Sequence, residues 1–162
     1  MHPLRELIKN KKLFSEITEK HGTPLYIYER QRIHENVTML SNALSNNFEN
    51  FHICYAIKSN SNPHLIRTMR EAFPAMGGDC SSPGEIYAAE LSGISPSECI
   101  YTGNYESKSD FIDALTKGCN INLDDITSLS RLNEVGLPAV SYTHLRAHET
   151  EADLVCRLLL EK

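Results

Sequence analysis

Apolar positions along this chain follow a helical rhythm first and a strand–helix alternation afterwards. Leu4, Leu7, Ile8, Phe14 and Ile17 recur near a 3.6-residue spacing over residues 4–21, and Gly22 ends the run. Thr23-Pro24 forces an extended lead into Leu25-Tyr26-Ile27-Tyr28, a predicted strand. Ile33, Val37, Leu40 and Leu44 mark the apolar stripe of a second helix. Phe51 to Ile57 is a continuous apolar strand pattern, and Lys58 closes it.

From Lys58 onward the pattern becomes regular. Pro63 opens a helix carrying Leu65, Ile66, Met69 and Phe73. Ala75 to Cys80 is a short extended piece. Ser82-Pro83-Gly84-Glu85 has capping-box spacing and starts a helix with Ile86, Ala89 and Leu91 that stops at Gly93. Cys99 to Thr102 is a strand, Ser107 to Lys117 a helix, Ile121 to Leu123 a strand, and Ser128 to Val135 a helix. Such alternation means parallel strands joined by crossover helices. The polar residues fall at strand ends: Lys58, Asp79, Gly103-Asn104 and Asp124-Asp125. A (β/α)8 barrel keeps its chemistry on that rim. A doubly wound open sheet gives the same pattern.

Composition narrows the partners. A net charge of −5 argues against nucleic acid and against an anionic membrane surface. No apolar run reaches the roughly 20 residues of a membrane span, and Met1-His2-Pro3-Leu4-Arg5-Glu6-Leu7 lacks the apolar core of a signal peptide. The cysteines, Cys54, Cys80, Cys99, Cys119 and Cys156, show no Cys-x-x-Cys spacing and read as free thiols of a reducing cytosol. His144 and His148, with Cys156 beyond, have ligand-like spacing but no fourth ligand, so no metal site is expected.

Lys58 is the main candidate for chemistry. A solvated lysine at a strand end is the ordinary alternative. As a catalytic group it is expected to be a buried amine, since burial frees the amine for attack on a carbonyl. Asp79 is the second candidate; it can also serve as a turn residue before the Ser82 helix. Capping explains Glu85, and turn chemistry explains Asn104, Asp124 and Asp125, as well as any role on the rim.

The run Tyr55-Ala56-Ile57-Lys58-Ser59-Asn60-Ser61-Asn62 resembles the lysine motif of the fold-type III, group IV pyridoxal-phosphate decarboxylases. Gly78-Asp79-Cys80-Ser81-Ser82-Pro83-Gly84-Glu85 resembles the second-strand segment of that family. Ile100 to Lys108 resembles its third strand and turn, and Ile121 to Asp125 its fourth. The resemblance implies a partial, alanine racemase-like (β/α)8 pyridoxal-phosphate barrel, truncated after about four strands. It implies Lys58 as the Schiff-base lysine and Asp79 beside the cofactor, holding charge balance. It also implies an amino-acid substrate and a homodimer. His21 to Tyr28 is typical of the bacterial diaminopimelate decarboxylase branch, which releases L-lysine and carbon dioxide from meso-diaminopimelate. Ornithine, arginine or carboxynorspermidine decarboxylation is the alternative, as is a non-catalytic cofactor-binding homologue. Alanine racemase fits less well, because its motif runs from the lysine into Ala-Asn-Ala-Tyr-Gly.

The remaining sequence divides the chain into a helix–strand–helix lead-in over residues 1–50, a half barrel over 51–139, and a tail over 140–162. The tail resembles translated adaptor DNA of a transposon-based sequencing library. It is therefore expected to be non-native and to make no packing contacts. The family's stacking histidine, phosphate loop, ring-nitrogen glutamate and C-terminal cysteine and tyrosine have no counterpart after Ala139, so no activity is expected of the chain alone. By periodicity alone the tail passes as an amphipathic helix with Leu145, Leu154, Val155, Leu158 and Leu159.

Overall fold

The computed structural model describes residues 9–103 and 107–123, together with the backbone of residues 156–159. Helix α1 spans Lys11–His21, with the Asn10 side chain accepting from the Leu13 N–H at its start. Gly22, at φ 76°, ends it. None of its residues is buried. The predicted strand over 25–28 is not formed. Its alternation is real, with Leu25 and Ile27 half-buried and Tyr26 and Tyr28 exposed, but no strand of the sheet pairs with it. Helix α2 follows over Arg30–Ser45 and buries Leu44, while Val37 and Leu40 rest against the core.

Three strand–helix units come next. Strand β1 is His52–Ala56, helix α3 Pro63–Ala72, strand β2 Gly77–Cys80, helix α4 Pro83–Leu91, strand β3 Cys99–Tyr101, helix α5 Lys108–Thr116 and strand β4 Asn120–Ile121. Local signals explain the starts. Asn62 caps α3 ahead of Pro63, Ser82 caps α4 ahead of Pro83, and Ser107 with Asp110 forms a complete capping box on α5. Gly93 and Gly118 follow helices at φ 87° and 88°, a region that only glycine enters without strain.

The strands pair β1–β2–β3–β4 in sequential order, all parallel. A doubly wound sheet reverses its strand order at a switch point. Sequential order with right-handed crossovers instead keeps every helix on one face, which is the arrangement of a partial (β/α)8 barrel. Arg70 of α3 fastens the layers. Its guanidinium donates to the Met76 carbonyl at 3.0 Å and makes a two-pronged contact with Glu98, ahead of β3, at 3.0 and 2.9 Å. That contact holds the Glu98 carboxyl below its ordinary pKa.

The tail corrects two expectations. Cys156–Leu159 forms a strand, β5, rather than a helix, and β5 pairs antiparallel with β1, His52 opposite Leu159 and Tyr55 opposite Cys156. A parallel barrel gives β1 two parallel neighbours. Here its outer edge carries an antiparallel one.

Candidate active site at the strand ends

The register sorts the sheet into two faces. Ile53, Tyr55, Cys80, Cys99, Tyr101, Ile121 and Leu123 pack in one apolar cluster with Ile66 of α3, Ile86 and Ala89 of α4, and Phe111 and Ala114 of α5. This is the helix side. The intervening positions point the other way. They are Cys54, Ala56, Gly77, Asp79, Ile100, Thr102 and Asn122, all buried, and none belongs to that cluster. Ala56, Asp79 and Ile100 lie on one rung.

The polar groups of this second face gather where the strands end. Asp79, Thr102 and Asn122 are three of the four buried polar side chains among the described residues. Asn122 Nδ2 donates to Thr102 Oγ1 at 3.3 Å. The Thr102 N–H donates to the Cys80 carbonyl and the Asn122 N–H to the Tyr101 carbonyl, so the ladder continues to the rim. Buried polar groups cost folding free energy unless they are paired. A cluster of them at strand C-termini is the usual mark of a barrel's working end.

Lys58 sits at this end but is not buried. Residues Ile57–Ser59 turn through a short 3₁₀ helix, which carries Lys58 out of the sheet and leaves it exposed. Its turn begins directly after Ala56, the rung partner of Asp79. The two candidates therefore lie on adjacent strand ends, one an exposed amine and one a carboxyl group that is 8% exposed.

Glu85 does less than a full capping box predicts. Ser82 Oγ accepts from the Glu85 N–H at 3.3 Å, but the Glu85 carboxylate reaches past Ser82 to the Ser81 N–H at 2.7 Å and the Ser81 hydroxyl at 3.0 Å. It braces the β2–α4 turn. Asn104, Asp124 and Asp125 lie outside the described residues, as do His144 and His148. Thr102 and Asn122 were not predicted as site residues. The available signal was a polar side chain directly after a short apolar strand.

Among the described side chains Cys54, Cys80, Cys99 and Cys119 are free and buried. The hydrogen bond with Cys99, then burial, push the Cys80 thiol well above its ordinary pKa, and burial pushes Cys119 up to about 12. These shifts keep the Cys80 and Cys119 thiols protonated at neutral pH, whereas the hydrogen bond with Cys80 lowers the pKa of Cys99.

Residues 31–158 match the family described as pyridoxal-dependent decarboxylase, pyridoxal binding domain. The diaminopimelate decarboxylase of Methanothermobacter thermautotrophicus is 38% identical over 120 residues, which cover 74% of this chain and 28% of that protein. The Aquifex aeolicus diaminopimelate decarboxylase is 34% identical over 121 residues, 74% of this chain and 27% of its own. Among solved structures, the Helicobacter pylori diaminopimelate decarboxylase complexed with L-lysine superposes with a TM-score of 0.66 at 26% identity, over 78% of this chain and 32% of that one. The chain thus spans between about a quarter and a third of the length of the relatives it matches. With its sequential parallel sheet and its lysine at the end of β1, it belongs to the pyridoxal-dependent decarboxylases, through their pyridoxal-binding domain.

Proposed function

We propose that this chain is the N-terminal part of a pyridoxal-phosphate-dependent amino-acid decarboxylase acting on meso-diaminopimelate, with Lys58 as its cofactor lysine. The observation that carries the reading is the collection of Asp79, Thr102 and Asn122 on one buried rim beside the Lys58 turn. The residues present fit the cofactor. An exposed primary amine is accessible to an aldehyde, and a buried carboxyl group lies at the end of the next strand. Ala56, the rung partner of Asp79, is a small residue on the same face.

Pyridoxal phosphate, when bound, supplies the electron sink that lets a carboxylate leave as carbon dioxide. The protein's own part is binding and orientation. Lys58 would hold the cofactor through its side-chain amine, which the turn after β1 presents at the rim. Asp79 would line the cofactor site from the end of the adjacent strand, on the rung of Ala56. The hydrogen bond from Asn122 to Thr102 fixes the adjoining wall. Preference for diaminopimelate rests on the relatives, several of which carry that name at 29–38% identity. A cytoplasmic location fits the free buried thiols. No described helix is long and apolar enough to cross a membrane. A homodimer belongs to the same reading and rests on the family resemblance.

The test is borohydride reduction of the full-length enzyme with pyridoxal phosphate, followed by peptide mapping. The label is expected on Lys58, and a label on another lysine would sink the assignment. Carbon dioxide release from meso-diaminopimelate, ornithine and arginine then ranks the substrates. In the same assay residues 1–162 alone are expected to be inactive, since they span only 28% of a working relative.

A further inference from the structure

We infer that Asn60 is a positioning residue for Lys58, and that Tyr28 straps it in place from the segment ahead of α2. The inference rests on the reading of Lys58 as the cofactor amine. An exposed lysine has no packing to aim it, and its long stem is free to sample many rotamers. Its direction must therefore come from the backbone of its turn. On the N-terminal side Ile57 does this, with no exposed surface, seated in the helix-side core.

On the other side the work falls to Asn60, through three hydrogen bonds. Its carbonyl accepts from the Tyr55 hydroxyl at 3.3 Å. Its side-chain Nδ2 donates to the Tyr28 hydroxyl at 3.0 Å. Its Oδ1 accepts from the Asn62 N–H at 3.1 Å, and Asn62 in turn caps α3 by accepting from the His64 N–H at 3.0 Å. A local Asx turn accounts for the Oδ1 bond alone. It does not account for a tyrosine of β1 and a tyrosine 32 residues earlier converging on the same residue. An amide side chain offers a donor and an acceptor on separate atoms, and Asn60 uses both. The Lys58 turn is thus clamped at Ile57 by burial and at Asn60 by polar contacts to three separate parts of the chain.

The experiment follows the rate at which pyridoxal phosphate, added to the cofactor-stripped full-length enzyme, becomes borohydride-trapped on Lys58, normalised to the other lysines of the same sample. Tyr28→Phe deletes one hydroxyl from a half-exposed side chain and leaves the fold intact. It is expected to slow trapping at Lys58 by roughly two- to tenfold, the worth of one hydrogen bond. Asn60→Ala, which loses both side-chain bonds, is expected to slow it by roughly tenfold or more. Ser107→Ala is the control. It removes the remote cap of α5 and costs about 1 kcal/mol of stability, and it should leave the normalised rate unchanged. If wild-type enzyme does not favour Lys58, the cofactor-lysine reading fails. If it does, but both variants match it, or Ser107→Ala slows trapping equally, the role of Asn60 is overturned.

Discussion

The two faces of the sheet are built by different rules. The helix side is filled by large apolar groups, and Tyr101 meets Phe111 edge-on with ring centroids 6.4 Å apart. The other face is made of small and polar residues: Cys54, Ala56, Gly77, Asp79, Thr102 and Asn122, with Ile100 as its one large aliphatic side chain. The first face holds the strands together. The second is costly to bury and offsets part of that cost by pairing its polar groups, as Asn122 does with Thr102. Stability and function are thus separated by a single alternation along each strand.

The sharpest way to break this contrast is on the helix side. Phe111 is 1% exposed, in the same cluster as Tyr101 and Ile121. Phe111→Ala is expected to cost about 3–5 kcal/mol, the transfer of the ring plus a cavity, read as a loss in the urea midpoint. A loss below about 1 kcal/mol would mean that this face is not the structural core.

The second face should answer to added bulk rather than to lost bulk. A Cβ on Gly77 would sit 2.2 Å from the Glu98 carbonyl oxygen and 3.1 Å from Cys54 Sγ. The oxygen is backbone and cannot swing away. Gly77→Ala is therefore expected to cost about 2–3 kcal/mol by overpacking. A neutral outcome in the same denaturation experiment would show that β2 and β3 can separate freely, and that the close fit of this face is not required.

Much of the fold was legible in the sequence, and the exceptions share a cause. Helices α2 to α5 carry a helical period or a clear cap, and strands β1 to β4 are the short apolar pieces between them, so their order followed directly. The piece over 25–28 kept its alternation but found no strand to pair with, and pairing is a tertiary fact. Lys58 was expected buried because the apolar run before it was read as strand to its end. A 3₁₀ turn over Ile57–Ser59 follows the strand instead, and Lys58 stands exposed on it. Thr102 and Asn122 escaped because β3 and β4 are three and two residues long. A period of two cannot be read from so few positions.

The smallest effect is expected at the tail. Strand β5 meets β1 over the register His52–Tyr55 with Leu159–Cys156, and this ladder is the described link between tail and sheet. Each backbone hydrogen bond is worth about 0.5–1.5 kcal/mol net. Ordering each residue that makes it costs about 1–2 kcal/mol. For so short a strand at an edge the terms nearly cancel, so the ladder satisfies the outer edge of β1 without anchoring it. Deleting residues 140–162 is expected to change unfolding free energy by less than about 1 kcal/mol, well below Phe111→Ala. The freed edge is a template for another strand, so the truncated chain should instead show more self-association in sedimentation. A loss of several kcal/mol, with no change in association, would make the tail an integral part of the fold and would remove the case for reading it as foreign sequence.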